Sequence, residues 1–298
     1  MRIALTGASG FIGSYTARRF AEAGHAVRAL VRETSRRDHI ADVIETFIVG
    51  DQYDADACER LIEDADVVIH NSVAWNFRAA DCGRRNTDAS LRLLEQSAPR
   101  RFVFVSSVAV HHDMSDRWNG QIDEEHPLRP ANDYGAYKAA VEAFLWGEHF
   151  GSGRETVAIR PCGVYGADPN LRRSIGHALI GAVRSGEPMT RENAGRMVHG
   201  KFVHVEDVAA SLVAAIESDA APGQAYNLVD CYARWSDWAA IACEELGVER
   251  EIDFSDPPQP KNRFVMDKAR RDLGVSLDRG HDGIRSHLRD LIRLMESD

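Results

Sequence analysis

Lysine is scarce in this chain of 298 residues: Lys138, Lys201, Lys261 and Lys268 are the whole complement, and arginine supplies the rest of 36 basic side chains. Acids number 46, so the formal charge is -10, and no long basic run interrupts that balance. Binding to a phosphate backbone needs concentrated positive charge, so the composition argues against nucleic acid and for a small-molecule substrate. Cysteine is sparse too. Cys58, Cys82, Cys162, Cys231 and Cys243 are scattered, odd in number and never spaced C-x-x-C, which indicates neither a disulfide framework nor a zinc site. They read as small buried hydrophobes in a reducing compartment. No apolar stretch approaches the ~18 residues of a membrane span. The first residues form a strand-like run rather than a secretion signal. The expected protein is cytoplasmic, with no membrane partner. With 44% apolar residues the chain can bury a full core, which excludes disorder.

Short apolar runs recur along the first half: Arg2 to Thr6, Ala26 to Val31, Thr46 to Val49, Val67 to Ile69, Phe102 to Val105 and Val157 to Ile159. They lack strict alternation, as strands covered on both faces do, and helix-like segments fill most of the gaps. This pattern predicts an α/β fold, a doubly wound parallel sheet of the Rossmann kind with a smaller mixed α/β C-terminal lobe. Phe11, Ile12, Tyr15, Phe20 and Ala23 are expected on the buried side of the first helix, which ends near Gly24. Residues 1–165 are expected to bind a dinucleotide, with 200–230 packing back onto them. Residues 166–199 and 231–298 are expected to form the substrate lobe. Helix-like patterns appear at Ile175 to Arg184, Val208 to Glu217, Trp235 to Leu246 and Asp282 to Met295, with a strand at Phe202 to Val205.

The turn after the first strand reads Thr6-Gly7-Ala8-Ser9-Gly10-Phe11-Ile12-Gly13, or G-x-x-G-x-x-G. Glycine suits a backbone that turns sharply and approaches a pyrophosphate without a Cβ in the way, and the next helix aims free N–H groups at the anion. No Lys-Ser or Lys-Thr follows, so a P-loop is excluded. Gly7, Ser9, Gly10, Phe11, Ile12 and Gly13 are therefore candidate cofactor residues. Arg32 closes the second strand, where a guanidinium would pair with the 2′-phosphate of NADP and an acid would take the ribose of NAD. NADP is favoured, although Glu33 follows directly. Asp51, just after the third strand, is placed to meet the adenine.

Tyr134 and Lys138 form Y-x-x-x-K in a helical segment, and the i, i+4 spacing puts both on one face. A phenol is a poor base at neutral pH until a nearby cation lowers its pKa, which the ammonium can do from beneath. A third member is expected from Phe102-Val103-Phe104-Val105-Ser106-Ser107, an apolar strand that ends in two serines at the edge where such sheets bind ligands.

With these residues in hand, the sequence resembles the extended short-chain dehydrogenases/reductases, the NAD-dependent epimerase/dehydratase family. The resemblance runs over nearly the whole chain. Beyond the glycine turn, it includes Asp51, His70, Asn86 before Leu93-Leu94, Ser106-Ser107, Tyr134/Lys138 and Arg160-Pro161-Cys162-Gly163-Val164-Tyr165-Gly166. It continues through Phe202-Val203-His204-Val205-Glu206-Asp207-Val208, Tyr226-Asn227-Leu228 and Asp267 to Gly274. It implies Ser107 as the catalytic hydroxyl and Tyr134 as the acid/base. Lys138 would tune the tyrosine and hold the nicotinamide ribose. Asn86 would place the cofactor or a relay water, and Arg160-Pro161 would line the nicotinamide pocket. A homodimer is implied, with Ala136 to Phe150 at its interface.

Val108-Ala109-Val110 stands where sugar-nucleotide dehydratases of the family carry Asp-Glu, and these apolar residues offer no acid/base group, so dehydration is not expected. What remains is hydride transfer at a secondary alcohol or ketone of a sugar or sugar nucleotide, by epimerisation or by reduction. The alternative is an NADPH-dependent ketone or aldehyde reductase resembling dihydroflavonol reductases, a side favoured by Val27-Arg28-Ala29-Leu30-Val31-Arg32. A non-catalytic NADP-binding protein is the remote alternative. Arg172, Arg173, Arg184, Arg191, Arg196 and Lys201 outnumber Asp168, Glu187 and Glu192 and could meet an anionic substrate group. His111-His112-Asp113 has poor ligand spacing, so no metal is expected. Trp75 and Phe77 are expected to line the substrate pocket or the core.

Overall fold

In a computed structural model of the chain, all residues are described except 76–78, 99, 112–119, 187, 191–192, 196–199, 255, 257–261 and 298. Phe77, His112, Asp113, Glu187, Arg191, Glu192 and Arg196 therefore lie outside the described residues. In chain order the elements begin β1 (Arg2–Thr6), α1 (Phe11–Glu22), β2 (Ala26–Val31), β3 (Thr46–Val49), α2 (Ala55–Ile62), β4 (Val67–His70), α3 (Ala79–Gln96) and β5 (Arg101–Val105). They continue with β6 (Gln121–Ile122), α4 (Asp133–Ser152), β7 (Thr156–Pro161), β8 (Gly163–Tyr165), α5 (His177–Ser185), β9 (Lys201–His204) and α6 (Val205–Glu217). β10 (Gln224–Leu228), β11 (Cys231–Tyr232), α7 (Trp235–Leu246), β12 (Arg263–Phe264), α8 (Asp267–Leu273) and α9 (Gly280–Ser297) complete the order.

The chain divides into two units. The first comprises Met1–Pro161, Glu206–Leu228 and Asn262–Ser276, and the second Cys162–Val205, Val229–Lys261 and Leu277–Asp298. The first unit is built on a seven-stranded sheet in the order β10-β7-β5-β4-β1-β2-β3, with every neighbouring pair parallel. This is the doubly wound sheet that the unalternated apolar runs predict. Ile3, Leu5, Val68, Ile69, Phe102, Phe104 and Ile159 are all sealed from solvent, each such side chain contributing about 1.5–3 kcal/mol on burial. β1 sits between β2 and β4, so the strand order reverses there. A crevice opens at the carboxyl ends of strands flanking such a switch point, and Thr6 and His70 are paired residues on its two sides.

The seventh strand, β10, lies outside the six apolar runs because Gln224, Tyr226 and Asn227 break its apolar reading. The first helix also differs from expectation. Its buried residues are Gly13, Ser14, Thr16, Ala17 and Phe20, while Phe11, Ile12 and Tyr15 are half-buried and Ala23 is exposed. Small side chains face the sheet so that the helix can lie close to it, and the Phe11 and Tyr15 rings pack edge-to-face on each other instead, 6.0 Å apart.

The second unit holds a small mixed sheet in which β9 pairs parallel with β8 and antiparallel with β11. Helices α5, α7 and α9 enclose its core of Tyr165, Phe202, Trp238, Leu288 and their neighbours. Among the described residues no helix is long and apolar enough to cross a membrane.

Candidate active site

The β1–α1 turn is shaped by close backbone approach. Gly7 adopts φ +73°, and a Cβ there would stand 3.0 Å from the Ser72 backbone N. A Cβ on Gly13 would stand 2.0 Å from the Gly7 carbonyl oxygen, deep inside contact distance. Gly10 N–H donates to that same carbonyl at 3.1 Å, which closes the turn. Gly10 caps α1 with no side-chain acceptor, and the first helical turn holds no acid. The leading amides of the helix are thus left without an intrahelical partner or a competing carboxylate, the arrangement that accepts a phosphate. Gly10 is exposed, and Ser9, Phe11 and Ile12 are half-buried around it. A dinucleotide pyrophosphate fits this cradle.

A polar relay behind the turn fixes the loop that faces it. Thr6 Oγ1 accepts from the backbone N–H groups of Asn71 and Ser72, both at 3.1 Å, and lies 2.8 Å from His70 Nδ1. With two donors already upon it, the hydroxyl spends its own proton on Nδ1, which places the one N–H proton of the neutral imidazole on Nε2. Nε2 then donates to Ser90 Oγ at 2.8 Å, and Ser90 donates to the Asn86 carbonyl at 2.7 Å. Burial, together with the charge of Lys138, pushes His70 down to about 3, so the imidazole remains neutral.

Arg32 is exposed at the carboxyl end of β2, beside exposed Glu33. Arg36 is paired with Asp38 at 3.0 Å, and Arg37 lies over the Phe47 ring at 5.7 Å. Asp51 is partly buried and accepts from Tyr53 N–H at 3.1 Å. Asn86 does not take the place expected of it. Its Nδ2 donates to the carbonyls of Ala74 and Cys82 at 2.9 and 2.8 Å, and its Oδ1 accepts from Ala74 N–H and Gln52 Nε2, both at 2.9 Å. That amide is wholly engaged in pinning the loop after β4, which leaves it no donor or acceptor for a ligand.

Ser107, Tyr134 and Lys138 do come together. Helix α4 opens with Asn132, whose side chain accepts from Gly135 N–H at 2.8 Å. A Cβ on Gly135 would stand 2.4 Å from the Ala109 carbonyl, so the first turn of α4 presses against the chain just after Ser107. The Ser107 hydroxyl accepts from Ala109 N–H at 3.2 Å and lies 3.4 Å from the Pro161 carbonyl, and its side chain is near enough to the Tyr134 phenol to influence its ionisation. Lys138 is 1% exposed. Its Nζ donates to the Val105 carbonyl at 2.5 Å and stands 4.4, 4.7 and 5.6 Å from the ring centres of Phe104, Tyr137 and Tyr134. The ammonium therefore sits in a cage of aromatic faces one turn beyond the phenol.

The electrostatics depart from the simple expectation. Burial raises the Tyr134 phenol above its ordinary value, with the Ser107 hydrogen bond opposing the rise. Burial also pushes Lys138 down to about 7, against the opposing pull of Glu142 one turn further along α4. A cation that is itself costly to keep charged cannot dominate its neighbour, so the phenol stays protonated at neutral pH.

Arg160, expected beside a nicotinamide, is 2% exposed and spent elsewhere. Its Nη2 donates to Glu142 Oε2 at 2.6 Å and its Nε to Oε1 at 3.0 Å, while Ser106 Oγ donates to the same carboxylate. A buried guanidinium must be paired, and this pair holds β7 against α4. Pro161 contributes the carbonyl near Ser107. His111 Nδ1 lies 3.2 Å from the Pro127 carbonyl and Nε2 lies 3.3 Å from Arg160 Nη1, so both ring nitrogens are engaged. No group of three or more metal-ligating side chains occurs among the described residues. Trp75, expected in the substrate pocket or the core, is 67% exposed and stacks on the Tyr134 ring at 5.1 Å and 28°. Arg172 and Arg173 are exposed, whereas Arg184 pairs with Glu296 at 3.0 Å.

Among relatives, the chain is 28% identical over 260 residues to 4-hydroxy-2-methyl-3-oxo-4-farnesyl-3,4-dihydroquinoline-1-oxide ketoreductase of Stigmatella aurantiaca, covering 85% of this chain and 75% of that protein. It is 24% identical over 248 residues to 3-beta-hydroxysteroid dehydrogenase of Mycolicibacterium neoaurum, covering 77% of this chain and 65% of that one. Its fold matches UDP-glucuronic acid 4-epimerase from Bacillus cereus in complex with NAD, with a TM-score of 0.79, 23% identity, and coverage of 100% of this chain and 99% of that one. The family model described as "NAD dependent epimerase/dehydratase family" matches residues 3–228, from the first strand to the last strand of the large sheet. The glycine turn at the sheet's switch point, the Ser107–Tyr134–Lys138 cluster and this match lead to one conclusion: the chain belongs to the NAD-dependent epimerase/dehydratase family.

Proposed function

We propose that the protein is an NAD(P)-dependent oxidoreductase that moves a hydride at a secondary alcohol or ketone. The observation that carries this reading is the meeting of three groups: the first turn of α4, which bears Tyr134, presses on the chain just after Ser107, and Lys138 Nζ stands 5.6 Å from the centre of the Tyr134 ring. Gly7, Ser9, Gly10, Phe11, Ile12 and Gly13 would hold the pyrophosphate, Asp51 the adenine side and Lys138 the nicotinamide ribose. Arg32 favours NADP over NAD, since neighbouring Arg36 is already paired. The first unit would carry the cofactor and the second the substrate. When bound, the nicotinamide supplies or accepts the hydride.

The chain's own residues manage the proton. In the reductive direction Tyr134 donates its phenolic proton to the substrate oxygen as the carbonyl carbon gains its hydrogen. Ser107 hydrogen-bonds the same oxygen and holds it in line. The phenolate that results lies over the Lys138 ammonium, whose charge lowers the cost of that state.

A sugar or sugar nucleotide is the substrate that the motifs around Arg160 and Phe202 lead us to expect, and the exposed guanidiniums of Arg172 and Arg173 support an anionic group on it. One-way reduction of a ketone that is not a sugar is the second reading, favoured by the exposed indole of Trp75 against the acid/base. We further infer a homodimer, supported by Phe144 and Phe150, which stand 55% and 80% exposed on α4. Net consumption of NADPH with carbonyl compounds supports the reductase. UDP-sugar isomerisation with the nicotinamide spectrum returning to baseline supports the epimerase. Tight cofactor binding with no turnover of either class would refute the proposed activity.

A further inference from the structure

Trp75, 67% exposed, stacks on the candidate acid/base, and its placement is not accidental to the loop that carries it. Residues 71–74 are tied down by the Thr6 hydroxyl on Asn71 and Ser72, by Gln52 Oε1 accepting from Ser72 Oγ at 2.5 Å, and by both backbone groups of Ala74 on the Asn86 amide. The Cys82 thiol adds a bond to the Ala74 carbonyl at 3.1 Å. So firmly held a loop ends in an indole that leaves two-thirds of its surface in water while one face covers the Tyr134 ring, 5.1 Å away and 28° from parallel. Tyr137 approaches Tyr134 edge-on at 6.2 Å.

Two consequences follow from this geometry. Among the described residues, Trp75 covers one face of the phenol and the Lys138 cage lies beneath, so it is the hydroxyl edge that is presented to a substrate. The indole therefore forms a wall beside the atom that must touch the substrate oxygen. Its loop, Asn71-Ser72-Val73-Ala74-Trp75, carries no charge, so recognition along it is by flat apolar contact and neutral hydrogen bonds rather than by ion pairing.

We propose that Trp75 is a specificity-determining residue: its exposed indole stacks on a flat, apolar ring system next to the carbonyl that Tyr134 protonates, selecting an aromatic or fused-ring ketone over a nucleotide sugar. The inference rests on Tyr134 being the group that meets the substrate oxygen, and it deepens the ketone-reductase reading of that site. Trp75 is exposed, so its replacement spares the core, and Trp75→Phe keeps a ring where Trp75→Ala does not.

The test uses the full chain saturated with NADPH, with 2-acetonaphthone and UDP-glucose titrated separately and their dissociation constants measured by calorimetry. Wild type binds the naphthyl ketone and Trp75→Ala weakens it at least tenfold. Trp75→Phe weakens it threefold or less, and NADPH affinity is unchanged in both variants. Turnover of the ketone then shows the loss mainly in KM. Equal ketone affinity in wild type and Trp75→Ala overturns the inference, as does a wild type that binds UDP-glucose but not the ketone, or neither. Tyr134→Phe separates the two levels. It retains ketone binding and loses turnover if the site reading is right, and intact turnover there would remove the proposed function while leaving the Trp75 binding result readable.

Discussion

Replacing Lys138 with methionine is expected to stabilise the fold at low pH and to destabilise it at high pH. Lys138 releases its proton at about 7 in the folded chain against an ordinary 10.5. At about 1.4 kcal/mol per pH unit, its charged form costs the folded state about 5 kcal/mol, an order-of-magnitude figure. Methionine removes that cost but loses the bond to the Val105 carbonyl, worth about 2 kcal/mol for a charged donor, and the contacts with the Phe104 and Tyr137 rings, worth about 1 kcal/mol. The balance is a gain of about 2 kcal/mol for Lys138→Met at pH 6. Because the folded pKa lies below the unfolded one, the penalty is complete below about 7 and fades as pH rises toward 10.5, where neither state of the wild type holds the charge. The two proteins therefore cross in stability between about pH 8 and 9, and wild type is the more stable above. Urea unfolding followed by tryptophan fluorescence at pH 6, 7.5 and 9.5 gives the comparison. A Lys138→Met protein less stable than wild type at pH 6, or a difference that does not change with pH, would refute the reasoning.

Gly13→Ala places a methyl 2.0 Å from the Gly7 carbonyl, so cofactor affinity is expected to fall more than tenfold and thermal stability by about 1–3 kcal/mol; unchanged NADPH binding by calorimetry would contradict this. Arg32→Ala should weaken NADPH by roughly 10- to 100-fold, the worth of a charge-assisted bond, and leave NADH within about twofold. Equal losses for both cofactors would remove Arg32 from the 2′-phosphate. Phe144→Glu with Phe150→Glu should convert a dimer to a monomer in light scattering, and a wild type already monomeric at about 50 μM would set the dimer aside.

The fold was legible because the inner strands β1, β4, β5 and β7 are buried on both faces and so read as apolar runs, and because Gly7 and Gly13 have a steric reason that the sequence spacing exposes. Tyr134 and Lys138 were legible for a related reason: an i, i+4 pair on a helix shares a face whatever surrounds it. What escaped depended on the third dimension. Phe11, Tyr15 and Ala23 suggested the buried side of α1, yet the helix packs through Gly13, Thr16 and Ala17, since close approach to the sheet favours small groups. Arg160 sits in a motif beside the site but turns inward, because Glu142, 18 residues earlier, offers a buried carboxylate. Asn86 is consumed by a loop whose path its own position did not reveal. The sign of the Tyr134 shift needed the depth of burial around both partners, which no spacing conveys.

The most direct measurement is the rate of NADPH-dependent ketone reduction by Tyr134→Phe, with cofactor binding followed in parallel by nicotinamide fluorescence. Removing the phenolic hydroxyl proposed to hand over the proton beside Ser107 is expected to lower kcat by about 10²- to 10⁴-fold while NADPH binds as before. A variant that turns over within about threefold of wild type would contradict the account.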